Sequence, residues 1–192
     1  MRMIGSIENR RFIRQVRRVK MKFSFTLLLA LALLAGCGQA TPPAVTPAAP
    51  PALTNGEPTH AQPKLRTLKL FLGAETIDAE LAISLDEIRC GMMYRTNIQE
   101  TDAMLFVLRY PQQAAFWMKN CPESISVAYI TADGVIQEIH HLEQNDTNGV
   151  AAARSDILFA LETKEGWFAR RNLGPGTLIR TEKGSLRETF FK

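Results

Sequence analysis

The chain of 192 residues has no phosphate-binding glycine loop, no Cys-x-x-Cys pair, no nucleophile elbow and no internal repeat. The local signatures of nucleotide binding, of a paired-cysteine metal site and of hydrolase chemistry on an α/β scaffold are therefore missing. Cysteine and histidine are scarce, with three of each. The apolar run from Phe23 to Ala35 is too short to span a bilayer. A cationic surface is also missing, despite a formal net charge of +4. Residues 1–36 hold eight of the 23 Lys+Arg and one of the 19 Asp+Glu, so the remainder carries 15 cations against 18 anions, a net charge of −3. That balance offers no electrostatic footprint for nucleic acid or anionic lipid, and neither is expected as a partner.

What is present at the N-terminus has a definite pattern. Met21 and Lys22 precede the apolar run, and Leu34-Ala35-Gly36-Cys37 closes it with small residues before a cysteine. The segment resembles a lipoprotein signal peptide with its lipobox, which implies cleavage after Gly36 and a mature protein beginning at a diacylglyceryl Cys37. An ordinary signal peptide or a short membrane anchor is the alternative. The arginine pairs Arg10-Arg11 and Arg17-Arg18 lack the spacing to the apolar run of a twin-arginine signal, and Met21 reads as the true start. Gly38 stands where an Asp would retain a lipoprotein in the inner membrane. An outer-membrane destination, facing the periplasm or the cell surface, is implied in a cell that has one.

Seven of the ten prolines fall between Gly38 and Pro63, among Ala and Thr, with Glu57 the sole charge. Such a stretch buries no core, so residues 37–63 read as a lipidated, disordered tether. Residues 64–192 are long enough for one globular domain. Strand-like runs stand at 65–71, 76–83, 104–108, 116–119, 126–131, 135–140, 157–162 and 177–180. Asp133-Gly134 marks a tight hairpin. Ser84-Leu85-Asp86-Glu87 has the form of a capping box opening a short helix to about Cys90, and 165–172 reads as a second helix before Gly174 and Pro175. The expected fold is mainly β: a small barrel or curled, antiparallel-rich sheet of seven to eight strands with two short helices.

Three clusters, Gly91-Met92-Met93-Tyr94-Arg95, Ala103-Met104-Leu105-Phe106-Val107 and Phe116-Trp117-Met118-Lys119-Asn120, are followed by Tyr129 to Ile136. Further on stand Leu158 to Glu162, Gly166-Trp167-Phe168 and Leu173 to Gly176. In order and spacing the set resembles the bacterial and archaeal family known as domain of unknown function 192. The resemblance implies a compact, mainly β fold and no established activity. The chain departs from that pattern where Cys121 follows Asn120 in place of Thr, where Ile125-Ser126 replaces a Leu-Asp pair, and at Pro175-Gly176-Thr177.

Arg95, Trp117, Lys119 and Asn120 are the ligand-binding candidates, because an aromatic ring beside a guanidinium, an ammonium and an amide suits a carboxylate, a sugar or a peptide terminus. Equally, Arg95 pairs with a structural acid such as Asp102 and Lys119 is merely solvated. Beyond residue 36 the only methionines are Met92, Met93, Met104 and Met118, with Cys90 and Cys121 beside the clusters. Met92, Met93, Met118, Cys90 and Cys121 are weak candidates for Cu(I), against ordinary core packing. His140 and His141 are adjacent in a strand and point to opposite faces. Cys121, either His and Asp133 or Asp156 supply the residue types of a Cys-His-acid hydrolase without a local motif. With Cys37 lipidated, Cys90 and Cys121 form a candidate disulfide closing a loop between two clusters; two independent buried thiols are the other reading. The head is thus expected to bind a small ligand or a cell-envelope partner without a cofactor, with an envelope-acting enzyme as the alternative and copper binding third.

Overall fold

A computed structural model describes residues 53–191 apart from 55. The expected leader, the expected lipidation site Cys37 and the part of the expected tether up to residue 52 lie outside the described residues. Among the described residues no helix is long and apolar enough to cross a membrane.

The main sheet has eight strands. In chain order they are β3 (Thr67–Leu72), β4 (Glu75–Ala82), β5 (Ala103–Gln112), β7 (Ile125–Thr131), β8 (Ile136–Leu142), β10 (Ile157–Lys164), β11 (Ile179–Thr181) and β12 (Gly184–Ser185). Their spatial order is β12-β11-β3-β4-β5-β10-β7-β8. Two small ladders accompany it: β1 (Leu53–Thr54) with β2 (Glu57–Pro58), and β6 (Ala115–Phe116) with β9 (Val150–Ala151). All pairings are antiparallel except β4 with β5. A parallel pair needs a crossover, and α1 (Leu85–Cys90) supplies it. Ser84 caps α1 through the expected box: its hydroxyl accepts from Glu87 N–H while the Glu87 carboxylate accepts from Ser84 N–H.

The sheet curls until its ends approach. Val135 bridges Leu178, Ile136 N–H donates to Thr177 O at 2.9 Å, and Ile179 N–H donates to Gly134 O at 2.8 Å. The result is a half-barrel closed at one end. Gly134 is required there twice over: its φ is +83°, and a Cβ would stand 2.7 Å from Ile179 O.

Both faces of the central strands are buried, so they read as continuous apolar runs. Along β5, Ala103, Leu105 and Val107 join the inner cluster, whereas Met104, Phe106 and Leu108 join the outer one. A bulge in β10 after Ile157 turns both Leu158 and Phe159 inward. The inner cluster also contains Trp167 and Phe168 of α2 (Trp167–Arg170) and Leu186 of α3 (Leu186–Phe190). Non-strand segments contribute Met92, Met93, Ile98, Met118 and Cys121 to the outer cluster.

Three expectations change. The 116–119 run is a strand only over Ala115–Phe116, because Met118 and Cys121 enter turns in which Met118 N–H donates to Asp146 O and Cys121 N–H to Met118 O. A third helix, α3, follows β12. Residues 56–63, read as tether, lie against the head: Pro58 is buried, and buried Gln62 donates to Gly91 O at 2.8 Å and Glu87 O at 3.2 Å.

Candidate functional site

The Met92-Met93-Tyr94 turn separates two clefts. Tyr94 and Asn120 both hold positive φ (62° and 59°), and Tyr94 N–H donates to Asn120 O at 2.7 Å, locking the first cluster to the third. Met92 faces one cleft and Met93 the other.

On the Met92 side, a cleft of about 380 Å³ is lined by Gln62, Lys64, Glu80, Tyr94, Arg95 and Asp102, among others. Arg95 forms a two-pronged ion pair with Glu80, at 2.5 and 2.9 Å, and both side chains are largely buried. The structural acid is therefore Glu80 of β4, not Asp102. Burial alone would raise the Glu80 pKa, but hydrogen bonds from Arg95 and from Leu65 N–H outweigh it and hold the carboxyl below its ordinary range. The same pairing raises the Arg95 pKa. An Arg satisfied in this way is less available to a ligand.

On the Met93 side, a cleft of about 240 Å³ is lined by Trp117, Lys119, Asn120, Arg89, Met93 and the segment Gly56–Pro58. Trp117 is 47% exposed. Lys119 Nζ lies 5.6 Å from the Trp117 ring centroid, a cation–π approach, and 2.6 Å from Glu57 Oε1. The structure thus brings Trp117, Lys119 and Asn120 together and places Arg95 in the adjoining cleft. Arg89, unmarked by any motif, takes the second cationic position, donating to Gly56 O at 2.9 Å. Trp117 and Arg89 also border a neighbouring apolar groove with exposed Leu85 and Tyr110.

Beneath both clefts lies the outer cluster. Met92, Met93, Met104, Met118, Cys90 and Cys121 are all buried in it. Of the two readings left open for Cys90 and Cys121, the structure has both as free, buried thiols: Cys90 Sγ is turned to His60 O at 3.9 Å and Cys121 Sγ to Lys119 O at 3.6 Å. Burial raises the pKa of both, that of Cys121 to about 12, with the Glu162 charge adding to it. Among the described residues, no three His, Cys, Asp or Glu side chains stand close enough to hold a metal ion. His140 meets Glu138, whereas His141 meets Glu143 and Glu165, so neither forms the Cys-His-acid set considered above.

Glu162 escaped notice as a site residue. It stands in β10 opposite Met104 on one neighbour and Val127 on the other, with Oε2 lacking any hydrogen-bond partner. Burial pushes its pKa up to about 8, partly offset by the Arg95 charge. The sequence signal was slight, because Glu162 directly follows the apolar run Ile157-Leu158-Phe159-Ala160-Leu161 and the polar Thr163-Lys164-Glu165 after it make it read as a solvated strand end.

Fold and clefts together define a compact β half-barrel with a ligand-sized cationic and aromatic cleft on its outer face. The chain belongs to the family of domain of unknown function 192, described as Uncharacterized ACR, whose model matches residues 69–181, more than half of the sequence. No curated protein matches it. A crystal structure from Sinorhizobium meliloti 1021, described as a candidate transcription regulator, is similar at 23% identity and a TM-score of 0.59, over 63% of this chain and 98% of that one. A protein of unknown function from Novosphingobium aromaticivorans is similar at 25% identity and a TM-score of 0.57, over 69% of this chain and 94% of that one. These likenesses establish the fold.

Proposed function

We propose that the protein is an exported lipoprotein, anchored through Cys37, whose head is a binding module for a carboxylate-bearing small ligand or cell-envelope partner in the Trp117 cleft. One observation carries the binding half: Lys119 already holds a carboxylate, that of Glu57, at 2.6 Å beside the half-exposed Trp117 ring. An ammonium over an aromatic face gives an anion both charge and a wall to lie against. Arg89 and Asn120 border the same space. The anchoring half rests on Leu34-Ala35-Gly36-Cys37 and the proline-rich run behind it.

Thermal shift with a panel of carboxylates, peptides and sugars tests the binding half, since a ligand stabilises by RT ln(1 + [L]/Kd) only where the folded head binds it. Carboxylates are expected to raise Tm in the wild type and not in Lys119→Ala or Trp117→Ala; stabilisation that survives both substitutions refutes the cleft. For the anchor, the native N-terminal peptide is expected to carry a diacylglyceryl mass on Cys37, and Cys37→Ser to lose detergent partitioning. A mature N-terminus elsewhere refutes it.

A further inference from the structure

The segment Gly56–Pro58 is held as a bound peptide would be. Three successive residues are each gripped by one side chain, and the three grips come from different parts of the head. Arg89 of α1 donates to Gly56 O at 2.9 Å, Lys119 holds the Glu57 carboxylate at 2.6 Å, and Tyr94 Oη donates to Pro58 O at 3.0 Å. Pro58 is buried, although Glu57 before it and Thr59 after it are exposed. The grips on the carbonyls are indifferent to sequence. Lys119, backed by Trp117, selects an acidic side chain, and the buried position suits proline, which brings no N–H to be left unsatisfied and a backbone already restricted to an extended form.

We propose that the Trp117 cleft is a docking groove for a segment with an acidic residue followed by proline, and that Gly56–Pro58, at the turn and second strand of the β1–β2 hairpin, is its built-in occupant, displaced when a partner protein presents the same pattern. This rests on reading the cleft as a ligand site. The groove residues Arg89, Tyr94, Trp117 and Lys119 all lie within the family match at 69–181, and the occupying segment lies before it. The hold is of a kind that exchanges: the Glu57–Lys119 pair is exposed, with side-chain accessibilities of 57% and 31%. A tethered occupant acts as a competitor at high effective concentration, so it sets a threshold that an incoming peptide must exceed. A longer ligand continues past Trp117 onto the exposed Tyr110 and Leu85.

The test uses the full chain in detergent and a fluorescent peptide copying residues 53–60, LTNGEPTH, read by anisotropy. Glu57→Ala, which removes an exposed side chain and leaves the core untouched, is expected to bind the peptide at least about threefold more tightly than the wild type, because the internal competitor is weakened. A peptide with Gln in place of Glu is expected to lose that gain. In the double variant Glu57→Ala/Lys119→Glu, a peptide with Lys in place of Glu is expected to bind better than the original. Equal affinity for wild type and Glu57→Ala, indifference to the charge on the peptide, or no binding by either protein would overturn the proposal. Stabilisation by small carboxylates that depends on Lys119 would in those cases still stand, so the failure of the peptide groove is distinguishable from failure of the cleft.

Discussion

The two faces of the half-barrel are built to different rules. The inner cluster, with Phe159, Trp167, Phe168 and Leu186, contains no ionisable side chain, and strands and short helices supply nearly all of it. The outer cluster holds the buried methionines and both thiols, draws much of its cover from loops, and shares its face with Glu162 and the Arg95–Glu80 pair. One face is organised for burial alone, where every Å² of apolar surface removed from water stabilises. The other tolerates costly polar groups, and both clefts open there. Unpaired or perturbed groups collect where a surface has a task beyond packing.

Substitutions can break that comparison at either face. The largest effect is expected inside: Phe159→Ala should cost about 3–5 kcal/mol in denaturant unfolding, while the fraction that remains folded keeps its carboxylate affinity. A binding defect in folded Phe159→Ala would merge the two faces into one.

Arg95→Ala comes next. It leaves the largely buried Glu80 without its partner, at a cost of about 2–4 kcal/mol. Because Glu80 titrates below its ordinary value in the folded protein, the pair stabilises above that ordinary value and the contribution is lost as pH falls through the lowered one. The wild type should therefore lose Tm on acidification more steeply than Arg95→Ala.

Glu162 has the opposite sign. Its folded pKa is raised from 4.5 to about 8, so the folded state holds a proton that the unfolded state releases. Stability falls as pH rises from about 4.5 and levels off near 8. Glu162→Gln removes that slope and should stabilise by about 1–3 kcal/mol at pH 8, with a Tm against pH profile as the measurement. A slope unchanged by the substitution would show that Glu162 is ionised and paired in the native protein.

The smallest effect on stability is expected at Lys119→Ala, about 0–1 kcal/mol because its pair with Glu57 is exposed. It should nevertheless abolish carboxylate binding, the inverse of Phe159→Ala. The two variants side by side give the sharpest form of the comparison.

Local patterns translated well into local structure. The Ser84–Glu87 box caps α1, Asp133-Gly134 turns the β7–β8 hairpin, and the apolar runs of β5, β7 and β10 became strands because each is short, bounded and buried on both faces over most of its length. Ser185-Leu186-Arg187-Glu188 carries the same box and caps α3, so that helix was legible by a rule already in use. The candidate site was half legible. Trp117, Lys119 and Asn120 fall within one four-residue stretch and stayed together, whereas Arg95 was separated from them by a turn requiring positive φ at Tyr94. Arg89 had no signal, because an Arg in the last turn of a helix ordinarily faces solvent.

The sequence by itself determined most of the half-barrel's strands, the capped start of α1 and the resemblance to the family, since short apolar runs, caps and turns act over a few residues and need no partner. Tertiary structure alone decided which charges meet. Glu80 lies 15 residues from Arg95, and Glu57 lies 62 from Lys119. Nothing in either neighbourhood names the other, because an ion pair forms wherever chain closure brings two side chains within reach, and closure is a property of the whole sheet. The same holds for Pro58 and Gln62: their composition reads as tether, and only the packed surface of α1 and the Met92-Met93-Tyr94 turn makes them part of the head.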